Sequence, residues 1–434
     1  NHMKFTTRML SAALAAGVLA ASLAGCGAGP AASTTLPLPS EVPEDIIMQT
    51  AGIARDTPLL TVDGAEVPAE ELLYWLSSYA DQYAAWGMTD LTMDMGDGQT
   101  LGQYYLDSAV ETATLYQLME NKAEELKMGW TKENQDSYDE QLQTMKESLA
   151  QQAGLDPETQ SDRVDTELVR LISYMGLSQE GFFHINQASF LYNNLMGGLY
   201  GTEGTDAPDA DKLNEAGVFH AKHILIKAEP VTDADGNVTD DGMAAAQAQA
   251  QALYDQLLAA EDPMTLFDQL MTENTDDVDS SGNVNGGTEG YTFGPGEMVD
   301  EFYEGTKALA EGEISQPIQS QYGYHIILRL SADNEAGYDK YAQVKMQDQI
   351  DQWMDEAQVE RSETLESLDL QAFYDGLTTL RSDISAASQA DSAPAETTAP
   401  ETTAPVESTP AESQAPAETT APTETAAPSE TPAA

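Results

Sequence analysis

Five histidines occur in this 434-residue chain, and three of them, His220, His223 and His325, fall within one stretch of about a hundred residues. Imidazole is the side chain whose charge changes nearest neutral pH, so histidines brought together can hold or relay a proton. His220 and His223 stand three apart in a strand-like run. Alternation points them to opposite faces, which argues against shared metal ligation by that pair. Met298 and Phe302 are four apart in a stretch of helical pattern, a spacing that puts two side chains on one face. The single cysteine, Cys26, allows no internal disulfide and no multi-cysteine zinc site, and leaves little room for a catalytic thiol. Asp233-Ala-Asp235-Gly-Asn237 hints at a calcium loop, but Gly236 is misplaced for an EF-hand, so a hairpin turn is expected there. No metal and no cofactor are expected.

These residues need elements to position them. Phe219 to Lys227 reads as a strand, residues 243–260 as an Ala/Gln/Leu-rich helix, and Pro263 to about Thr272 as a second helix. Asp276 to Gly290 reads as loop. Tyr291–Phe293 is a short strand and Val299–Leu309 a helix. Pro317–Gln319 and Tyr324–Leu330 are closing strands. The order β-α-α-β-α-β-β implies a small antiparallel sheet with helices packed on it. Before it, Leu59–Val62 reads as a strand, Asp63-Gly64 as a turn, and Pro68 as a first helical turn. Helices are then expected at about 68–83, 103–128, 131–154, 162–176 and 179–196, the last ending before Gly197-Gly198. Asp339 to Glu360 is helical with Met346, Ile350, Trp353, Met354 and Ala357 on one face. That stripe needs a partner, and the N-terminal helices supply one, which makes the middle segment an insertion.

The ends differ in texture. Asn1 and His2 precede Met3 and are set aside as a cloning remnant. Lys4 and Arg8 lead into an apolar run from Met9 to Leu23. That run is shorter than the roughly 20 residues a bilayer span needs and suits the h-region of an export signal. It ends in Leu23-Ala24-Gly25-Cys26, which resembles the lipobox of bacterial lipoproteins, whose cysteine takes a diacylglyceryl group. Residues 26–45 read as a flexible spacer. Residues 385–434 repeat Pro-Ala-Glu-Thr-Thr-Ala-Pro variants with few apolar side chains, a composition that forms no core and is expected to be disordered. The formal net charge of −56 excludes a nucleic-acid partner, which needs a basic footprint, and electrostatic adhesion to anionic lipid.

The middle segment resembles the parvulin-type peptidyl-prolyl isomerases. The residues that carry the resemblance are His220-Ala-Lys-His223-Ile-Leu-Ile-Lys227, Gly286-Gly287, Phe293-Gly-Pro-Gly-Glu-Met298-Val-Asp-Glu-Phe302, Gly312-Glu-Ile-Ser-Gln-Pro317-Ile and Gln321-Tyr-Gly-Tyr-His325-Ile-Ile. The lipobox, the flanking helices and Val62-Asp-Gly-Ala-Glu-Val-Pro68 further resemble the PrsA-like foldases and their SurA relatives. The implied fold is α+β: a parvulin domain at 218–331 inserted in an all-helical chaperone-like domain formed by 46–210 and by C-terminal helices at 335–380, behind a signal peptide at 3–25.

The resemblance implies the site as well. His223 and His325 are the paired histidines at its floor. Met298 and Phe302 line the proline pocket, with Ser320 beside the histidines and Tyr322 near the pocket wall. The family's acid ahead of the Gly pair matches Asp279 best, with Asp277 as competitor. Lys227 matches a position where phospho-directed relatives use a lysine, but Asp233, Asp235, Asp240 and Asp241 follow it and would repel a phosphate. One departure stands out. Where the family has Gly-Gly-Asp-Leu-Gly-Trp-Phe, this chain has Gly286-Gly-Thr-Glu289-Gly-Tyr291-Thr-Phe293, one residue longer, with Glu289 in place of an apolar residue. The implied activity is isomerisation of X–Pro bonds in newly exported, unfolded proteins by a monomer or homodimer held outside the cell membrane of a Gram-positive bacterium through lipid on Cys26. The alternatives are a non-enzymatic holdase on a degenerate parvulin domain, and a wall-structural lipoprotein.

Overall fold

A computed structural model describes residues 35–96 and 98–392. The expected signal segment, Cys26 and the repeats beyond 392 lie outside the described residues. In chain order the elements are α1 (Ile46–Ala51), β1 (Pro58–Val62), β2 (Ala65–Pro68), α2 (Ala69–Ala84), α3 (Leu101–Glu125), α4 (Lys132–Ala153), α5 (Ser161–Tyr174), α6 (Gln179–Tyr200) and α7 (Ala210–Glu215). There follow β3 (Phe219–Lys227), β4 (Val231–Thr232), β5 (Val238–Asp240), α8 (Met243–Ala259), α9 (Pro263–Asn274), β6 (Tyr291–Phe293), α10 (Asp300–Lys307), β7 (Ile318–Ser320) and β8 (Gly323–Leu330). Last come α11 (Glu335–Glu356), β9 (Val359–Arg361), α12 (Glu363–Glu366) and α13 (Leu370–Ser392). Among the described residues no helix is long and apolar enough to cross a membrane.

The fold is α+β, and the inserted sheet has strand order β6-β3-β8-β7, antiparallel throughout. Ile224, Ile226, Ile326 and Leu328 on one face bury against Ala250, Leu253 and Phe267 of α8 and α9. On the other face Phe219, Ala221 and Ile327 pack on Phe293 and Phe302. The chain on either side of this unit comes together again: β9 pairs antiparallel with β1, Leu60 opposite Arg361 and Val62 opposite Val359. Tyr341, Met346, Ile350 and Trp353 of α11 join the core built by α2, α3 and α6.

Several boundaries differ from the sequence-based expectation, each for a local reason. The surrounding domain is not all-helical, because β2-β1-β9 form a three-stranded sheet. Pro68 ends β2 and occupies the N-cap position of α2. α3 starts at Leu101 because Thr100 closes a capping box with Gln103. Thr131 closes the same kind of box with Asn134, and α4 runs to Ala153 within the expected bounds. α6 continues through Gly197-Gly198 to Tyr200, since Leu195 and Tyr200 are both buried and hold its last turns on the core. α11 stops at Glu356, and the residues after it pair with β1 instead.

The ends of the described chain are more ordered than a spacer and a tail. Leu36 packs on the core, its N–H donating to Gln179 Oε1 and its carbonyl accepting from Gln179 Nε2, both at 2.9 Å. Residues 385–392 continue α13: that stretch is Ala/Ser-rich and lacks proline, and Ile384 is buried just before it. Arg170 joins the two ends. Its guanidinium reaches Glu41 at 2.6 Å, Glu167 at 2.6 Å and Asp391 at 2.7 Å.

Candidate active site

Register places the histidine pair. His223 on β3 lies opposite Ile327 on β8, and His325 lies opposite Leu225. His325 is two residues from Ile327, so both imidazoles emerge on the Phe302 face as diagonal neighbours. Their Nδ1 atoms are 2.9 Å apart. The Phe302 ring stands edge-on beneath them, with centroids 5.0 Å from His223 and 5.7 Å from His325.

The loop after α9 brings an acid to this pair. Leu225 N–H donates to Thr275 Oγ1, Asp276 N–H donates to Leu225 O, and Lys227 N–H donates to Asp276 Oδ2. These bonds lay residues 275–277 along β3 and bring Asp277 to His223, with Oδ2 at 2.8 Å from Nε2. Tyr291 Oη donates to the same Oδ2 at 2.7 Å, and Asn285 Nδ2 donates to Oδ1 at 2.8 Å. At the other end Ser320 Oγ lies 2.7 Å from His325 Nε2 and accepts from Tyr322 N–H.

Electrostatics give this chain a direction. Burial works to raise the pKa of Asp277, but hydrogen bonds from His223, Asn285 and Tyr291 outweigh it and hold the carboxyl far below its usual range. Burial pushes His325 down to about 4, helped by repulsion from His223 and opposed by Asp277. Burial, then the hydrogen bond to Asp277, pushes the Tyr291 phenol well up. An ionised carboxylate only accepts, so His223 carries its proton on Nε2. With both rings neutral, His223 Nδ1 then accepts from His325 Nδ1–H, and His325 Nε2 accepts from Ser320 O–H. Every polar atom is satisfied by that single assignment.

The edge of the site is a tightly laid loop. Gly290 has φ +86°, and a Cβ there would stand 2.4 Å from Ala221 O, so the loop runs directly against β3. Buried Lys222 ties it down, paired with Asp268 and 3.4 Å from Thr288 O. His220 Nε2 is 2.7 Å from Glu289 O, while the Glu289 side chain is exposed.

The comparisons with known proteins agree with this geometry. The family described as Rotamase, PPIC-type PPIASE domain, matches residues 223–331. Those residues are a parvulin-type domain. The foldase protein PrsA of Halalkalibacterium halodurans is 28% identical over 205 residues, covering 45% of this chain and 50% of that protein. PrsA of Caldanaerobacter subterraneus is 40% identical over 110 residues, covering 25% of this chain and 28% of its own. The chaperone SurA of Thiobacillus denitrificans is 33% identical over 108 residues, covering 25% and 21%. The chain is PrsA/SurA-like, and it spans half or less of the length of these relatives.

Within the parvulin domain, His223, His325, Ser320 and Phe302 come together as the resemblance implied. Asp279 does not. Its exposed carboxylate accepts from the N–H groups of Ser281 and Asn283 and from Asn283 Nδ2, closing a tight turn, and Asp277 takes the place expected of it. Met298 packs on the Phe302 cluster, but from the turn before α10 rather than from the helix. Tyr322 is 48% exposed, at the rim in the β7–β8 turn. Residues 231–240 form the expected hairpin, closed by Asp233 accepting from Asn237 N–H. Sequence reasoning missed Tyr291 and Asn285. They lie 14 and 8 residues from Asp277, and nothing in their spacing announces a shared partner.

Proposed function

We propose that this protein is an extracytoplasmic foldase that isomerises X–Pro peptide bonds in exported, unfolded proteins while its helical domain holds them. The single observation that carries the catalytic part is the hydrogen-bonded chain Ser320–His325–His223–Asp277 laid against Phe302. Rotation about X–Pro faces a barrier of about 18–20 kcal/mol from amide resonance and needs no nucleophile. An apolar grip by Phe302 and Met298 disfavours the charge-separated planar amide, while nearby polar groups stabilise the twisted one. Lowering the barrier by about 4 kcal/mol gives nearly a thousandfold. The proposed anchor is lipid on Cys26, supported by the lipobox-like residues before it.

The test is a proline-peptide isomerisation assay with wild type beside His223→Ala. A wild-type rate equal to that of buffer removes the enzymatic reading. A second reading, a holdase without isomerase activity, draws support from Glu289 at the pocket edge and from the extra residue in its loop. Suppression of client aggregation at buffer-level isomerisation favours it.

A further inference from the structure

The loop between α2 and α3, with the first turn of α3, carries an exposed cluster that the isomerase site does not use. Trp86 is 72% exposed, Met95 47%, Tyr104 45% and Met93 38%. Trp86 packs on Tyr83 with centroids 5.5 Å apart, Tyr83 stacks on Tyr105 at 5.6 Å, and Tyr105 touches Tyr104 at 5.9 Å. Leu101 N–H donates to Met93 O, which brings the methionine end of the loop onto the same helix start. The loop is pinned from below, where Leu91 N–H donates to Gln371 Oε1 at 2.6 Å and Gly102 N–H to Leu91 O. An apolar surface of adaptable Met and aromatic side chains on a fixed support has the properties of a docking site.

Charge narrows the occupant. From Asp56 to Asn121 the chain has twelve Asp and Glu and no Lys, Arg or His. Asp81 and Asp107 are paired with Arg381 and Arg361. Asp90 and Asp94, on the loop itself, are in no ion pair among the described residues. Exposed Trp and Tyr faces attract ammonium and guanidinium groups, and the field of a chain of net charge −56 draws cations and repels anions.

We propose that this surface docks unfolded polypeptide segments that combine apolar side chains with Lys or Arg. The inference deepens the client-holding part of the function proposed above and rests on it, but it does not depend on catalysis.

The experiment measures binding of two fluorescent, proline-free synthetic peptides to the full chain by anisotropy. They share their Leu and Phe content and differ in carrying Lys or Glu; lacking proline, they do not engage the proline pocket. The Lys peptide binds at least about tenfold more tightly than the Glu peptide, and 0.5 M NaCl erodes the difference. Trp86→Ala/Tyr104→Ala weakens the Lys peptide about fivefold or more, and Asp90→Asn/Asp94→Asn about threefold, consistent with cation–π and charge terms. Both variants turn over a short X–Pro peptide at the wild-type rate. Equal affinity for the two peptides, or Lys-peptide affinity unchanged in either double variant, overturns the proposal. Docking that follows this pattern while wild type shows no isomerase activity removes the catalytic reading and supports the surface. Activity without docking does the reverse.

Discussion

The imidazoles of His223 and His325 lie nearly parallel, with planes 13° apart, centroids at 5.1 Å and facing Nδ1 atoms at 2.9 Å. Two rings in that relation share one proton between them, so whatever fixes the outer nitrogens fixes the whole chain. Asp277 does so at one end and Ser320 at the other.

Asp277 and Asp279 therefore separate cleanly by mutation. Asp277→Asn removes the anion that holds the Nε2 proton of His223 and is expected to lower kcat/KM for an X–Pro peptide about tenfold or more. Asp279→Asn keeps turn-closing acceptors and stays within about twofold of wild type. Equal losses in both variants would falsify the assignment of Asp277.

Tyr291 acts through Asp277. Tyr291→Phe keeps the ring but removes one of three side-chain hydrogen bonds to that carboxylate, so the pKa of Asp277 rises. The carboxylate is then less firmly supported, so kcat/KM is expected to fall about threefold in the wild-type background and not to fall further in an Asp277→Asn background. An equal loss in both backgrounds points to a packing role instead.

His325 makes the fold acid-sensitive. Its folded pKa of about 4 lies below the unfolded value, so the stability it contributes is complete above about pH 6.5 and is lost as pH falls through 4. The loss amounts to about 3 kcal/mol. Urea unfolding from pH 7.5 to 4 reads it as a steeper decline in wild type than in His325→Gln, and identical slopes count against it.

Glu71 has the opposite sign. Burial, then repulsion from Glu120 and Glu70, pushes it up to about 8, with His184 3.9 Å away. A raised carboxyl pKa contributes stability below about pH 4.5 that is lost as pH rises through 8. Glu71→Gln is expected to be more stable than wild type at pH 8.5 by about 1–3 kcal/mol and to differ little at pH 5. Urea midpoints at the two pH values make the comparison, and a constant difference rules the explanation out.

Arg170 holds both ends of the described chain. Arg170→Met leaves Glu41 and Glu167 without their cation, at a cost of about 2–4 kcal/mol, at the lower end because the Asp391 side chain is 52% exposed. Hydrogen exchange is expected to lose protection at residues 36–42 and 384–392 together. Protection retained at either stretch shows that it is held by other contacts.

Much of this protein was legible in its residues. Short runs rich in apolar and β-branched residues placed strands at Phe219–Lys227 and Tyr324–Leu330, and the Met346/Ile350/Trp353 stripe required a helical partner, because apolar periodicity along a helix records which face must be buried. The histidine pair followed from motif order. The sequence did not distinguish Asp277 from Asp279: both are loop acids before two glycines, and only the bonds from Leu225 and Lys227 to Thr275 and Asp276 determine which one meets His223. Tyr291 and Asn285, the pairing of β9 with β1, and the meeting of Glu41 with Asp391 at Arg170 were equally out of reach. Each joins residues distant in the chain through polar contacts, and polar contacts leave no periodic trace. Local spacing determined the elements and their buried faces; the tertiary structure decided which polar groups meet, because that depends on how those faces stack.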